Sequence, residues 1–158
     1  MYANRLHGDY LTDCCQVFYL GPQAFAIDVD KIEAVLPVPE IAEIPIAPGY
    51  VAGIINLGGS AVTLFDTRKM MSLGTPPLTS ESRVLLVEWH KITLGLLVDR
   101  VGIVANVMNH YLTRVFPCEE DRRFRYVCGL YQIGSETVQM LAAEKLIAEG
   151  DRNAIQAV

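Results

Sequence analysis

GIINLGGSAVTLF, the stretch from residue 53 to residue 65, contains two short apolar runs on either side of a Gly-Gly step. Glycine reaches positive φ without a steric penalty, and two glycines between apolar runs are a strong signal for a β-hairpin. The stretch therefore predicts a strand over residues 53–57, a turn at Gly58 and Gly59, and a second strand over residues 61–65.

The same pattern of short β-branched runs between turn residues extends in both directions from this hairpin. Asp66 is predicted to cap a short helix over residues 67–71, and Asp28 or Asp30 a short helical segment through Lys31 and Ile32. Further strands are predicted over residues 17–20, 24–29, 34–38, 83–89, 92–98, 101–107, 127–133 and 137–141. The Ala-, Leu-, Glu- and Lys-rich stretch 142–148 predicts a C-terminal helix that ends near Gly150.

This number of short strands predicts an all-β fold. Two small β-barrels packed together, with short helices between strands, would leave few strand edges exposed. We expect a domain over residues 14–150, with its two barrel subdomains divided near the polar, proline-bearing residues 72–82. Residues 1–13 are predicted to be a flexible N-terminal segment, and residues 151–158 a C-terminal tail.

Composition excludes several classes of protein. Of the 158 residues, 51% are apolar and 20% are charged, which is unlike a disordered chain. The net charge of −5 and the lack of a Lys/Arg stripe argue against nucleic-acid binding. The longest apolar stretches are too short for direct membrane insertion, and the first twelve residues lack the apolar core of a signal peptide. We therefore expect a cytoplasmic protein.

The sequence predicts neither a cofactor nor a metal site. No CxxC motif occurs among the four cysteines, which are Cys14, Cys15, Cys118 and Cys128. The three histidines are far apart in the sequence, so neither residue type shows the spacing of a zinc site. A cysteine nucleophile needs a nearby base, which the local sequence does not supply, so an enzyme such as a cysteine hydrolase is the weaker alternative. The stronger alternative is a small-ligand-binding β-barrel protein that takes an apolar molecule between its barrels.

The order of several motifs resembles the CheW-like chemotaxis adaptor family. FYLG at residues 18–21 and FAIDV at residues 25–29 precede the opening stretch, while VTLFDTR at residues 62–68 and LGLLVDRV at residues 94–101 follow. The resemblance extends from about residue 15 to residue 147. It implies two five-stranded, SH3-like barrels without catalytic activity.

The resemblance also implies a function and two partner surfaces. Such an adaptor couples the cytoplasmic tip of methyl-accepting chemotaxis receptors to the regulatory domain of a CheA-type histidine kinase, at receptor arrays under the inner membrane. The receptor-binding groove would contain Ile32, Glu33, Ala34, Asn56 and Gly58. Kinase binding would involve Gly95, Asp99 and Val101. Structural roles in turns and in the fold would belong to Gly53, Gly59 and Asp66.

Some of these positions depart from the family pattern or have a simpler structural interpretation. The family usually has an acidic residue where Ala34 stands and an arginine where Gly58 stands, so two charged groups are missing from the groove. Gly58 suits a plain hairpin turn, and Gly95 suits a bulge or a close backbone approach. Asp99 suits a solvated turn residue.

Overall fold

The computed structural model describes residues 14–74, 77–89, 91–106, 111–114, 126–142 and 145, with only the backbone for Trp89 and for residues 111–114. The predicted N-terminal segment and C-terminal tail lie outside these residues. So does the predicted C-terminal helix beyond residue 142, apart from residue 145.

The described residues include eleven short strands and two very short helices. The strands are β1 Cys14–Leu20, β2 Gln23–Asp28, β3 Ile32–Pro37, β4 Val51–Leu57, β5 Ser60–Asp66, β6 Arg83–Trp89, β7 Ile92–Val98, β8 Arg100–Asn106, β9 Tyr111–Arg114, β10 Val127–Ile133 and β11 Glu136–Leu141. A 3₁₀ helix spans Val29–Lys31, and helix α1 spans Thr67–Met70. Each predicted strand is present, with ends displaced by at most three residues, whereas β9 was not predicted.

The strands form two sheets, which confirms the all-β prediction. A six-stranded sheet has the order β8-β1-β2-β11-β10-β9, and a five-stranded sheet has the order β3-β6-β7-β5-β4. The prediction of closed, five-stranded barrels needs correction. Strand β9 adds a sixth strand to one sheet, and within the described residues the edge strands of each sheet do not pair to close it.

Both sheets nevertheless curl toward closure. Strands β8 and β9 lie at opposite edges of the six-stranded sheet, yet only residues 107–110 separate them in the sequence. A linker of that length spans at most about 19 Å, so the two edges must approach each other. In the five-stranded sheet, an isolated bridge between Ala42 and Ile54 joins the segment after β3 to the edge strand β4.

The two sheets do not follow the order of the chain. Strands β1 and β2 join the sheet that contains β8 to β11, while β6 and β7 join β3, β4 and β5. The boundary predicted near residues 72–82 therefore does not separate the two sheets. Residues of both chain halves enter each sheet, partly through the parallel pairs β2–β11 and β5–β7.

Three buried clusters explain why many strands are apolar on both faces. The central cluster takes residues from both sheets: Phe18, Leu20, Phe25, Ile27, Phe65, Met70, Met71, Leu85, Val87, Leu94, Leu96, Val98, Tyr126, Val127 and Leu141. Each sheet has a second cluster on its other face, including Val17, Tyr19 and Ala26 in the six-stranded sheet, and Leu64, Val84 and Leu86 in the five-stranded sheet. Successive residues along a strand point to opposite faces, so they alternate between two clusters.

Candidate partner-binding surfaces

The predicted receptor-groove residues lie on the two edge strands of the five-stranded sheet. Ile32, Glu33 and Ala34 begin β3, whereas Asn56 is near the end of β4 and Gly58 lies in the turn that follows. The register places one row of residues across all five strands: Ala34, Leu86, Gly95, Leu64 and Gly53. The other groove residues lie beyond this row toward the end that carries the Gly58-Gly59 turn, so the structure places all five at one end of the sheet.

A β-bulge places Glu33 on the surface. Ile32 and Ala34 pair with the consecutive residues Val87 and Leu86, which leaves Glu33 as the extra residue of β3. Ile32 therefore packs against the central cluster, and Ala34 packs against the second cluster of the same sheet. The exposed Glu33 accepts a hydrogen bond at Oε1 from Thr93 Oγ1, at 2.9 Å. Bulges of this kind occur at sheet edges, where they redirect a side chain.

The hairpin turn at Gly58 and Gly59 is confirmed. Both residues have positive φ, 59° and 91°, and both are exposed. The carboxamide Oδ1 of Asn56 accepts a hydrogen bond from the backbone N–H of Gly59 at 2.9 Å. Asn56 therefore stabilises the turn as well as lying at the candidate receptor surface.

Three other predicted turn and cap residues have structural roles. Asp66 is the N-cap of α1 and accepts a hydrogen bond from the N–H of Lys69, while Asp28 caps the 3₁₀ helix through the N–H of Asp30. Gly53 has a φ of 147°, and a Cβ at this position would overlap with the carbonyl oxygen of Ala42. Gly53 is therefore needed where the Ala42–Ile54 bridge forms.

The predicted kinase-binding residues do not form one exposed patch. Gly95 is buried in β7, where a Cβ would lie 2.9 Å from Leu64 Cδ1 and 3.1 Å from Val84 Cγ1. This confirms the close-approach interpretation of Gly95. Val101 lies in the other sheet and is half-buried against the central cluster. Asp99 is the single residue between β7, which contains Gly95, and β8, which contains Val101.

Asp99 is held by an ion pair, so its interpretation as a solvated turn residue is wrong. Its Oδ2 lies 2.6 Å from Arg68 Nη2 and accepts a hydrogen bond from Arg68 Nε at 2.8 Å. The backbone N–H of Gly21 also donates to Oδ2, at 2.6 Å. Sequence reasoning did not identify Arg68 or Gly21 as partners, since they lie 31 and 78 residues from Asp99.

A second polar cluster surrounds Tyr19 in the six-stranded sheet. The buried Tyr19 hydroxyl donates to Glu136 Oε1 at 2.7 Å, and the Arg100 guanidinium stacks 3.6 Å from the centre of the ring. The hydrogen bond to Glu136, together with burial, raises the pKa of Tyr19 above its ordinary value, although Arg100 acts in the opposite direction. The phenol therefore remains protonated and donates at neutral pH.

Two open cavities, each of about 410 Å³, flank Glu136. One is lined by residues that include Tyr19, Ile103 and Val104, and the other by residues that include Gln23 and Leu130. Both belong to the six-stranded sheet. The small-ligand alternative placed its molecule between the two barrels, and these cavities do not lie there.

The described residues offer little for metal or thiol chemistry. Among them, no three His, Cys, Asp or Glu side chains come together as a potential metal site, while His7, His90, His110 and Cys118 lie outside them. Burial raises the pKa of the Cys15 thiol to about 12, so it stays protonated and unreactive. None of the helices in this part of the chain is long and apolar enough to cross a membrane.

The described residues define an all-β protein of two sheets that share a buried central cluster. A family model of the CheW-like domain matches residues 15–151, and the chain belongs to this family, whose members are scaffold and adaptor proteins.

Individual relatives agree with this assignment. The probable chemotaxis protein CheW of Rhizobium etli is 20% identical over 137 residues, which cover 87% of this chain and 88% of that protein. The chemotaxis protein CheW of Thermotoga maritima is 28% identical over 134 residues, which cover 84% of this chain and 85% of that protein. The crystal structure of the scaffolding protein TtCheW from Thermoanaerobacter tengcongensis has the same fold, with a TM-score of 0.79 and 23% identity over 89% of this chain and 96% of that one.

Proposed function

We propose that this chain is a non-enzymatic adaptor that couples chemoreceptors to a CheA-type histidine kinase in a chemosensory pathway. The observation that carries the proposal is the CheW-like family match over residues 15–151. The two-sheet fold supports it, because a shared central cluster joins the sheets and separate surfaces remain for partners. A cytoplasmic location at receptor arrays under the inner membrane is part of the proposal.

The mechanism is geometric. The cytoplasmic tip of a methyl-accepting chemotaxis receptor binds at the end of the five-stranded sheet that carries Glu33, Asn56 and Gly58. The regulatory domain of the kinase binds around Val101, where the chain enters the six-stranded sheet. Gly95 and Asp99 support this region through contacts within the chain. Holding both partners on one scaffold raises their effective concentration, so individually weak contacts produce a stable assembly.

The composition of the receptor surface predicts how that contact responds to salt. Glu33 is the only charged residue among the five groove positions, because Ala34 and Gly58 stand where the family usually has charged side chains. Electrostatic steering by a single exposed carboxylate is small and screened. Receptor binding by this chain should therefore depend only weakly on ionic strength.

The direct test is calorimetry of the full chain with the isolated kinase regulatory domain and, separately, with a receptor cytoplasmic fragment, both from the source organism. We expect saturable binding to each. Glu33→Gln should weaken receptor binding and leave kinase binding unchanged. The matched control is Glu81→Gln, because Glu81 is also an exposed carboxylate but lies in a turn away from the groove. A folded wild-type chain that binds neither partner would refute the adaptor proposal.

The cavity lined by Tyr19, Ile103 and Val104 favours small-ligand binding as a second candidate. Its volume lies within the range of about 300–1,000 Å³ that is typical of ligand pockets. A thermal-shift screen with apolar metabolites is the test. A stabilising compound whose effect disappears in Ile103→Asn would support this candidate, and a screen without any stabilising compound would count against it.

A further inference from the structure

The chain passes directly from one sheet to the other at a single residue. Strand β7 ends at Val98 in the five-stranded sheet, and β8 begins at Arg100 in the six-stranded sheet, so Asp99 alone connects them. The backbone N–H of Asp99 donates to the carbonyl oxygen of Tyr19 at 3.1 Å. In a connection this short, a change in the backbone dihedral angles of the connecting residue alters the relative orientation of the two sheets that it joins.

The Asp99 carboxylate ties together groups that belong to different sheets. Gly21 lies in the turn between β1 and β2 of the six-stranded sheet, and its N–H donates to Asp99 Oδ2. Arg68 lies in α1, which directly follows β5 of the five-stranded sheet, and its Nε and Nη2 contact the same oxygen. Arg68 also donates from Nη1 to the carbonyl oxygen of Leu73 at 2.9 Å, which fixes the plane of the guanidinium.

The backbone at Gly21 is adapted to this ion pair. Gly21 has a φ of +59°, and a Cβ there would lie 2.7 Å from Arg68 Nη2. Only glycine therefore lets the guanidinium approach the turn. The side chains of Arg68 and Asp99 are 18% and 30% exposed, so the pair is partly shielded from solvent and holds a defined geometry.

We propose that Arg68 and Asp99 are positioning residues that fix the relative orientation of the two sheets and, through it, the geometry in which the receptor and the kinase are held. The first part concerns this chain alone, whereas the second part rests on the proposed adaptor function. The pair acts on the partners through the sheets, without contacting them.

The orientation of the sheets can be measured directly by double electron–electron resonance. Spin labels at the exposed positions Ser60 in β5 and Thr137 in β11 report the distance between the sheets, in a chain whose native cysteines have been replaced. We expect one narrow distance distribution in this background. Arg68→Lys keeps the charge but cannot contact Asp99 and Leu73 through one planar fork, so it should broaden or shift the distribution. Asp99→Asn should do the same.

Arg83→Lys is the matched control. Arg83 Nη1 donates only to the neighbouring carbonyl oxygens of Ser80 and Ser82 among the bonds described, so this substitution removes a guanidinium without touching the connection between sheets. Circular dichroism establishes that every variant is folded at the temperature of labelling. Distributions for Arg68→Lys and Asp99→Asn that match the Arg83→Lys distribution would overturn the inference about orientation.

A second measurement separates positioning from direct contact. In Arg68→Lys and Asp99→Asn, the Kd for the isolated regulatory domain and for the receptor fragment should stay within about twofold of wild type. Stimulation of the kinase in the receptor–kinase–adaptor assembly should fall at least about fivefold, the low end of typical coupling between sites. A kinase Kd that rises by the same factor as stimulation falls would make Asp99 a contact residue and overturn the positioning role. Wild type that binds neither partner would overturn the proposed function, and the distance measurement would still decide the orientation of the sheets.

Discussion

Gly95→Ala places a methyl group into a space that the structure already fills. The new Cβ would lie 2.9 Å from Leu64 Cδ1 and 3.1 Å from Val84 Cγ1, both on fully buried side chains. Overpacking by one methyl group in such an interior destabilises by about 1–3 kcal/mol. Replacing glycine by alanine also stabilises by restricting the unfolded chain, by about 0.4–1 kcal/mol. We therefore expect a net loss of about 1–2 kcal/mol in the free energy of unfolding.

Urea denaturation followed by circular dichroism measures this loss. With a typical denaturant slope, the expected change lowers the urea midpoint by about 0.5–1 M. Gly49→Ala is the matched control, because Gly49 is exposed and no atom lies within 4 Å of its would-be Cβ. That variant should stay within about 0.5 kcal/mol of wild type.

A double-mutant cycle and a binding measurement complete the test. Leu64→Ala removes the side chain that the new methyl group meets, so the double variant should be less destabilised than the sum of the single variants, by about 1 kcal/mol. The folded Gly95→Ala protein should bind the kinase regulatory domain with unchanged affinity, since residue 95 is buried. An unchanged urea midpoint together with weaker kinase binding would refute the reasoning and make Gly95 part of a contact surface.

Three further variants probe other features of the fold. Thr67 is fully buried and its hydroxyl has no hydrogen-bond partner among the described residues, so Thr67→Val should raise the free energy of unfolding by about 1 kcal/mol; a lower urea midpoint would contradict this. Folding raises the pKa of Tyr19. The protonated phenol therefore contributes fully to the free energy of unfolding at a pH below its ordinary pKa of about 10, and this contribution is lost as the pH rises through its pKa in the folded protein. Tyr19→Phe should therefore flatten the alkaline loss of stability, and identical pH profiles would exclude a role for the bond to Glu136. Iodoacetamide should modify Cys14 before Cys15, because burial raises the pKa of Cys15 to about 12; mass spectrometry of the digested protein shows the order.

Local chemistry predicted the strands and turns well. Strands β6, β7 and β10 have the predicted bounds, because β-branched runs end there at turn residues. The Gly58-Gly59 hairpin and the Asp66 cap depend on backbone conformation and side-chain chemistry within a few residues, which a single sequence contains. Strand β9 was missed because its four residues, YLTR, are too few to show a periodic pattern.

Pairing between strands could not be predicted in the same way. The apolar pattern of β6 and β7 indicates that both faces are buried, but many strands share this property, so it does not identify the partner strand. The division near residues 72–82 was predicted from the polar, proline-bearing composition of that stretch, which contains no information about strand pairing. The sheets instead join β2 to β11 and β6 to β3.

The candidate surfaces were predictable only in part. The resemblance to the CheW-like family identified positions such as Glu33 and Asp99, but it did not reveal what each side chain contacts. The bulge at Glu33 depends on the pairing of β3 with β6, and the ion pair of Asp99 depends on the approach of Arg68 across 31 residues. Such contacts arise from tertiary structure and leave no local signal.

The exchange of chain segments between the sheets has a consequence for how the protein is made. Gln23 in β2 and Gln139 in β11 are hydrogen-bonded neighbours, although they are 116 residues apart in the sequence. On a ribosome, the hairpin of β1 and β2 emerges long before β11 and must wait for its neighbour with its apolar edge uncovered. Long-range strand pairing of this kind is slow and exposes nascent chains to aggregation. Neither half of the nascent chain can therefore form a complete sheet by itself. The adaptor can bind its partners only after both halves have been synthesised and have paired.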